Sequence, residues 1–158
     1  MIQRVQTIYL GIIIILVSIV AIGSPLFSFV NKTSRFTFNS WGVTEYSVTN
    51  GKILGTSTFP LFIGLISLVL LTFICLMAFK NINRQFKLGR TVFFLYFLSL
   101  TAIFFLSIWG DGLVEAKITS REMGLGYWLF IIGFPFSFLA NIGIKRDKKL
   151  LDSLDRLR

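Results

Sequence analysis

Four windows of this chain contain no Asp, Glu, Lys or Arg: Val5 to Asn31, Ile53 to Phe79, Thr91 to Gly110 and Met123 to Ile144. A helix needs about 20 apolar residues to cross a hydrocarbon core of roughly 30 Å, and each window reaches that length after trimming. In lipid every backbone N–H and C=O must be paired within the segment, so each is expected to be helical. The composition agrees: 54% of the 158 residues are hydrophobic and the mean hydropathy is +0.78, too apolar for a water-soluble domain of this size. The fold class expected is an all-α membrane protein, a four-transmembrane-helix bundle with helices near 6–23, 60–79, 91–109 and 126–144. The run after Arg4, with its small residues Ala21, Gly23 and Ser24, also has the form of a signal peptide, and is expected to be kept as the first span.

Lys and Arg are divided unequally between the two sides that such a topology creates. Arg4, the turn 80–90 (Lys80, Arg84, Lys87, Arg90) and the tail 145–158 (Lys145, Arg146, Lys148, Lys149, Arg156, Arg158) place eleven basic residues on one side. Lys32, Arg35, Lys52, Lys117 and Arg121 place five on the other. The positive-inside bias then puts both termini in the cytoplasm. The net charge of +9 is accounted for by topology, and no nucleic-acid partner is expected.

Gly23-Ser24-Pro25 punctuates the end of the first helix. Beyond it, an outer loop at 27–58 alternates polar and apolar residues in Arg35-Phe36-Thr37-Phe38-Asn39 and in Tyr46-Ser47-Val48-Thr49, the period of a strand. Asn50-Gly51 predicts a two-residue type I′ hairpin turn, with Val48-Thr49 opposite Lys52-Ile53. A short antiparallel sheet is therefore expected outside the membrane, with an earlier turn at Trp41-Gly42 and with Trp41 a candidate contact. A ribbon of two or three strands is marginal alone in water, so it should lie on the helix ends, on the second outer loop 110–122, or on another protein. Trp109, Tyr127 and Trp128 fall where interfacial aromatics belong, and Pro135 predicts a kink in the fourth helix. In the tail, Leu150, Leu151, Leu154 and Leu157 form one stripe of an amphipathic cytoplasmic helix.

The sequence offers little to chemistry. Histidine is absent, Cys75 is the single cysteine, and the acids lie in loops and tail. Metal sites need convergent His, Cys or carboxylate, and acid–base or nucleophilic catalysis needs a poised titratable group. No catalytic residue, metal or cofactor is expected; Asp111 and Glu115 read as solvated loop acids, and Ser18, Ser67, Ser99, Ser107 and Ser137 as helix-packing residues. Ion pathways usually need ionisable side chains at membrane depth, and these spans hold none.

Three stretches carry a resemblance: Met1-Ile2-Gln3-Arg4-Val5-Gln6-Thr7-Ile8-Tyr9-Leu10 at the start, Phe79-Lys80-Asn81 to Arg84-Gln85 in the turn, and Leu139-Ala140-Asn141 through Ile144-Lys145-Arg146-Asp147-Lys148-Lys149-Leu150 to Arg158 at the end. They resemble a bacterial membrane family of the Bacteroidota type, domain of unknown function 4293, in order along the whole chain. The resemblance implies a cytoplasmic-membrane protein and no particular activity. The spacing Asn81-Ile82-Asn83 departs from the family pattern in the turn. The plan is similar to the claudin type in architecture only, since the paired outer-loop cysteines of claudins are missing.

The expected function is an accessory or scaffolding subunit of a larger membrane complex, with protein translocation or insertion machinery a plausible host. The alternative is a small independent transporter or lipid-binding protein. Membrane lipids and other membrane subunits are the expected partners, docking through Trp41, Arg84, Lys145, Arg146, Leu150, Leu151, Leu154, Leu157 and Arg158. The tail leans to a protein partner, because Asp147, Asp152 and Asp155 interrupt the basic face that lipid alone would favour.

Overall fold

The computed structural model describes residues 5–113 and 118–155. It contains four long helices, α1 (Val5–Gly23), α2 (Leu61–Met77), α3 (Ile82–Trp109) and α4 (Leu125–Asp155). Five strands accompany them, β1 (Phe27–Val30), β2 (Ser34–Phe38), β3 (Gly42–Ser47), β4 (Ile53–Thr58) and β5 (Ser120–Met123). The segments Val5–Gly23, Leu61–Lys80, Ile82–Trp109 and Leu125–Leu151 are each long and apolar enough to cross a membrane.

Every helix buries one stripe at three- and four-residue spacing, the side that a period of 3.6 keeps on one face. On α1 the stripe is Gln6, Leu10, Ile13, Val17 and Val20; on α4 it is Phe130, Gly133, Ser137, Ala140 and Ile144. The main contacts run α1 to α2, α2 to α3, α3 to α4 and α4 back to α1, which closes the helices into a ring. Large apolar side chains such as Ile15, Leu70, Phe94 and Ile132 point away from it, leaving an exterior suited to lipid rather than water.

At one end of the ring lies an antiparallel sheet in the order β4-β3-β2-β1-β5. Phe27 and Phe29 of β1 lie on the same face as Phe38 of β2, with ring centroids 4.6 to 5.5 Å apart, and all three are buried. That face caps the bundle: Phe29 lies so close to Gly110, just past α3, that a Cβ there would stand 3.4 Å from its ring. The sheet is broader than the two or three strands expected. Its fifth strand comes from the second loop, with Phe27 opposite Met123 and Val30 opposite Ser120.

Three local expectations are corrected. The β3–β4 connection is not a two-residue type I′ turn at Asn50-Gly51. Such a turn needs positive φ at both residues, and only Gly51 has it, at 61°. The ladder closes instead where the Ser47 amide donates to the Lys52 carbonyl (2.9 Å), Val48 turns its amide to the Thr33 carbonyl (3.0 Å), and the register slips between Glu45 and Tyr46. The basic turn expected at 80–90 is almost all helix. After a short 3₁₀ turn, Ala78–Lys80, α3 starts at Ile82, with Asn81 as its N-cap accepting from the Arg84 amide (3.1 Å). Nor is the tail a separate helix: α4 runs unbroken from Leu125 to Asp155, through Pro135.

Candidate functional site

The two ends of the ring differ, and each gathers side chains that the helices alone do not require. At the sheet end, α1 finishes with carbonyls that no further helical turn can pair. Ser40 Oγ donates to the Ala21 carbonyl (2.9 Å) and Trp41 Nε1 to the Ile22 carbonyl (3.2 Å). The Asn39 side chain accepts from the amides of Trp41 (3.0 Å) and Gly42 (2.9 Å), making the tight turn expected there. Gly42 has φ of 155°, and a Cβ would stand 2.1 Å from the Ser57 carbonyl oxygen, so only glycine fits. Trp41 also stacks on Phe62 of α2 at 4.8 Å, yet remains 50% exposed. It fastens the sheet to the helix ends while offering one side outward.

The sheet face away from the phenylalanines is polar. Ser28, Arg35, Thr37, Tyr46 and Glu122 line an open groove of about 620 Å³. Arg35 and Glu122 form an ion pair across it, joining β2 to β5 over the intervening β1. The edge strand β4 is exposed along its length, and at the hairpin end Val48, Ile53 and Leu54 are each more than half exposed.

At the opposite end the three stretches that carried the family resemblance meet. Gln6 of α1 donates through Nε2 to Gln85 Oε1 of α3 (3.4 Å), and Gln85 Nε2 donates to the Cys75 carbonyl of α2 (3.4 Å). Both glutamines are buried, and Gln6 Oε1 has no hydrogen-bond partner among the described residues. Two glycines allow the approach: a Cβ on Gly143 would lie 3.2 Å from Gln6 Cβ, and one on Gly89 would lie 2.8 Å from Ile144 Cδ1. Further out, Arg90 and Lys148 rest against the same ring, Phe86, at 4.8 and 4.9 Å from its centroid.

Of the residues singled out from sequence, Arg84, Lys145, Arg146, Leu150 and Leu151 come together at this basic end, all exposed, while Trp41 stands alone at the sheet end. Leu150 and Leu151 are 57% and 40% exposed, so nothing in the described chain covers them. Leu157 and Arg158 lie outside the described residues, as does the side chain of Leu154. Sequence reasoning counted Arg90 among the turn's basic residues and quoted Gln6 and Gln85 in the family resemblance, but gave none of them, nor Phe86, a place in a site. Gln6 carried a signal, being an uncharged polar residue inside an apolar window, but nothing connects it to a glutamine 79 positions away.

No curated protein matches the chain. A family model described as domain of unknown function, DUF4293, matches residues 2–157, and with essentially its whole length covered the chain belongs to that family.

Proposed function

We propose that the chain is a non-catalytic scaffolding subunit of a larger complex in a bacterial cytoplasmic membrane. In this reading the basic end and both termini face the cytoplasm, and the sheet stands on the far side. The placement draws on the positive-inside bias, since Arg84, Lys87, Arg90, Lys145, Arg146, Lys148 and Lys149 all lie at the end away from the sheet.

The observation that carries the docking role is the β3–β4 hairpin. A six-residue edge strand with one row of unpaired backbone groups is a template on which an extended segment of another chain can add. Proteins usually blunt such an edge with charge or proline, but β4 reads Ile-Leu-Gly-Thr-Ser-Thr and presents apolar Ile53 and Leu54 at its exposed start. The occupant we propose is a strand from a neighbouring membrane subunit, with protein translocation or insertion machinery as the host to examine first. Against the transporter reading, no Asp, Glu, Lys or Arg is buried among the described residues of the bundle. The lipid-binding reading draws support from the cations at Phe86.

The test is affinity purification from native membranes of the wild-type chain and of an Ile53→Lys/Leu54→Lys variant. Loss of a defined membrane subunit from the variant, with its own abundance and thermal stability unchanged, is expected. An unchanged set of partners would sink the hairpin as the docking edge.

A further inference from the structure

We propose that the seam between α3 and α4 is a binding site for one anionic phospholipid, its phosphate held by Arg90 and Lys148 and its acyl chain laid along the aromatic ladder beside them. The inference rests on the membrane placement above, and adds to it a specific ligand and a specific site.

Two observations meet at this seam. The first is the pair of cations: Arg90 from α3 and Lys148 from α4 sit within 5 Å of the Phe86 centroid. Neither makes an ion pair with a carboxylate among the described residues. The guanidinium of Arg90 and the ammonium of Lys148 both lie against this one ring, so two positive groups from different helices are gathered around a single side chain at the end of the apolar span. A phosphodiester is the group that such a pair fits. The second observation is what adjoins the cations. Phe93 lies 5.6 Å from Phe134 and 6.0 Å from Phe138, and Phe97 lies 6.0 Å from Phe134. Phe97 and Phe138 are each 51% exposed, so the ladder is open to the outside of the bundle. From Arg90 to Phe97 along α3 is about 10 Å, the upper part of an acyl chain. Charge at one end and an uncovered aromatic run from it describe an amphiphile. A soluble phosphate would leave the ladder empty, and a partner helix would have to bring an anion to the cations.

The experiment uses the full chain purified in a neutral detergent and titrated with phosphatidylglycerol or with phosphatidylcholine, bound lipid being counted by native mass spectrometry. Wild type should retain phosphatidylglycerol and release phosphatidylcholine. Charge-assisted contacts to the phosphate are strong enough that removing both in Arg90→Gln/Lys148→Gln should weaken retention by on the order of 100-fold. Arg84→Gln/Lys149→Gln removes the same charge from the same end and should change it by less than about threefold. Arg90→Lys/Lys148→Arg should keep the lipid, which separates loss of the site from loss of the fold. Equal weakening in both neutralised pairs would reduce the effect to general charge attraction and overturn the site. So would binding of both lipids alike, or loss of a co-purifying protein from Arg90→Gln/Lys148→Gln while the lipid stays. Failure of the membrane placement itself would show separately, as release of the wild-type chain from membranes by alkaline carbonate.

Discussion

The Tyr96 hydroxyl occupies the space that a side chain at Gly133 would need: a Cβ there would stand 2.2 Å from Oη and 3.2 Å from Cζ. In that position Oη donates to the Phe130 carbonyl at 2.8 Å, and the ring stacks on Phe130 at 4.6 Å. Gly133→Ala should therefore force Tyr96 aside and cost about 1–3 kcal/mol, read as a lower unfolding temperature in detergent. Tyr96→Phe alone should cost about 1 kcal/mol. Because the hydroxyl is the nearest obstacle, Gly133→Ala should cost less in the Tyr96→Phe background than in wild type. Simple additivity of the two changes would show that the close approach is not what fixes residue 133.

The buried glutamines make a second cycle. Gln85→Leu leaves both polar atoms of Gln6 without partners, and should cost about 1–3 kcal/mol. Gln6→Leu exchanges one unpaired oxygen for another, on Gln85, and should stay within about 1 kcal/mol of wild type. The double variant, apolar on both sides, should recover most of the Gln85→Leu loss. Thermal unfolding of the four proteins checks the order.

The join between β1 and β5 depends on Gly124, whose Cβ would fall 2.1 Å from the Pro25 carbonyl oxygen. The Gly124 amide donates to the Leu26 carbonyl at 2.8 Å, immediately beside the strand pair. Gly124→Ala should loosen β5 first and leave the helices in place. Hydrogen exchange should speed up in 120–123 and 27–30, with little change in α1 or α3. Uniform exchange across the chain would mean that the sheet and the bundle open together.

For topology, Asn50→Cys should be labelled from the periplasmic side by a membrane-impermeant maleimide, and Ser153→Cys only after permeabilisation. Cys75 is fully buried on α2 and should stay silent in both. Labelling of both engineered sites from one side would refute the placement of the two ends.

The helices were legible because charge is so costly in lipid that its absence marks a span, whatever the side chains pack against. Their ends were less so. Arg84, Lys87 and Arg90 read as a loop, yet each is exposed on α3, where a long basic side chain can carry its charge outward while the backbone stays helical. β2, and β3 with β4 across their turn, were anticipated from the alternation at 35–39 and 46–49 and from Asn50-Gly51; β1 was not, since no alternation was read in Phe27–Val30. β5 was not, because Ser-Arg-Glu-Met is exposed at every residue and owes its extended form to a partner about ninety residues earlier. The basic end was legible in its charges and opaque in its contacts: no spacing rule brings Gln6 to Gln85, or Lys148 to Phe86.

The pairing of β1 with β5 also bears on how the chain is made. The two strands are separated by α2 and α3, so in the membrane placement proposed above they can meet only if that helical pair crosses the bilayer and returns. Had it entered the wrong way round or stalled halfway, residues 120–123 would emerge where β1 could not reach them. At about 5–20 residues per second of synthesis, β1 waits roughly 5–20 seconds with its outer edge vacant before β5 arrives. In that placement, completion of the sheet registers, on one face of the membrane, that two later spans have been threaded correctly, and a chain that fails this check would be left with the outer edge of β1 open.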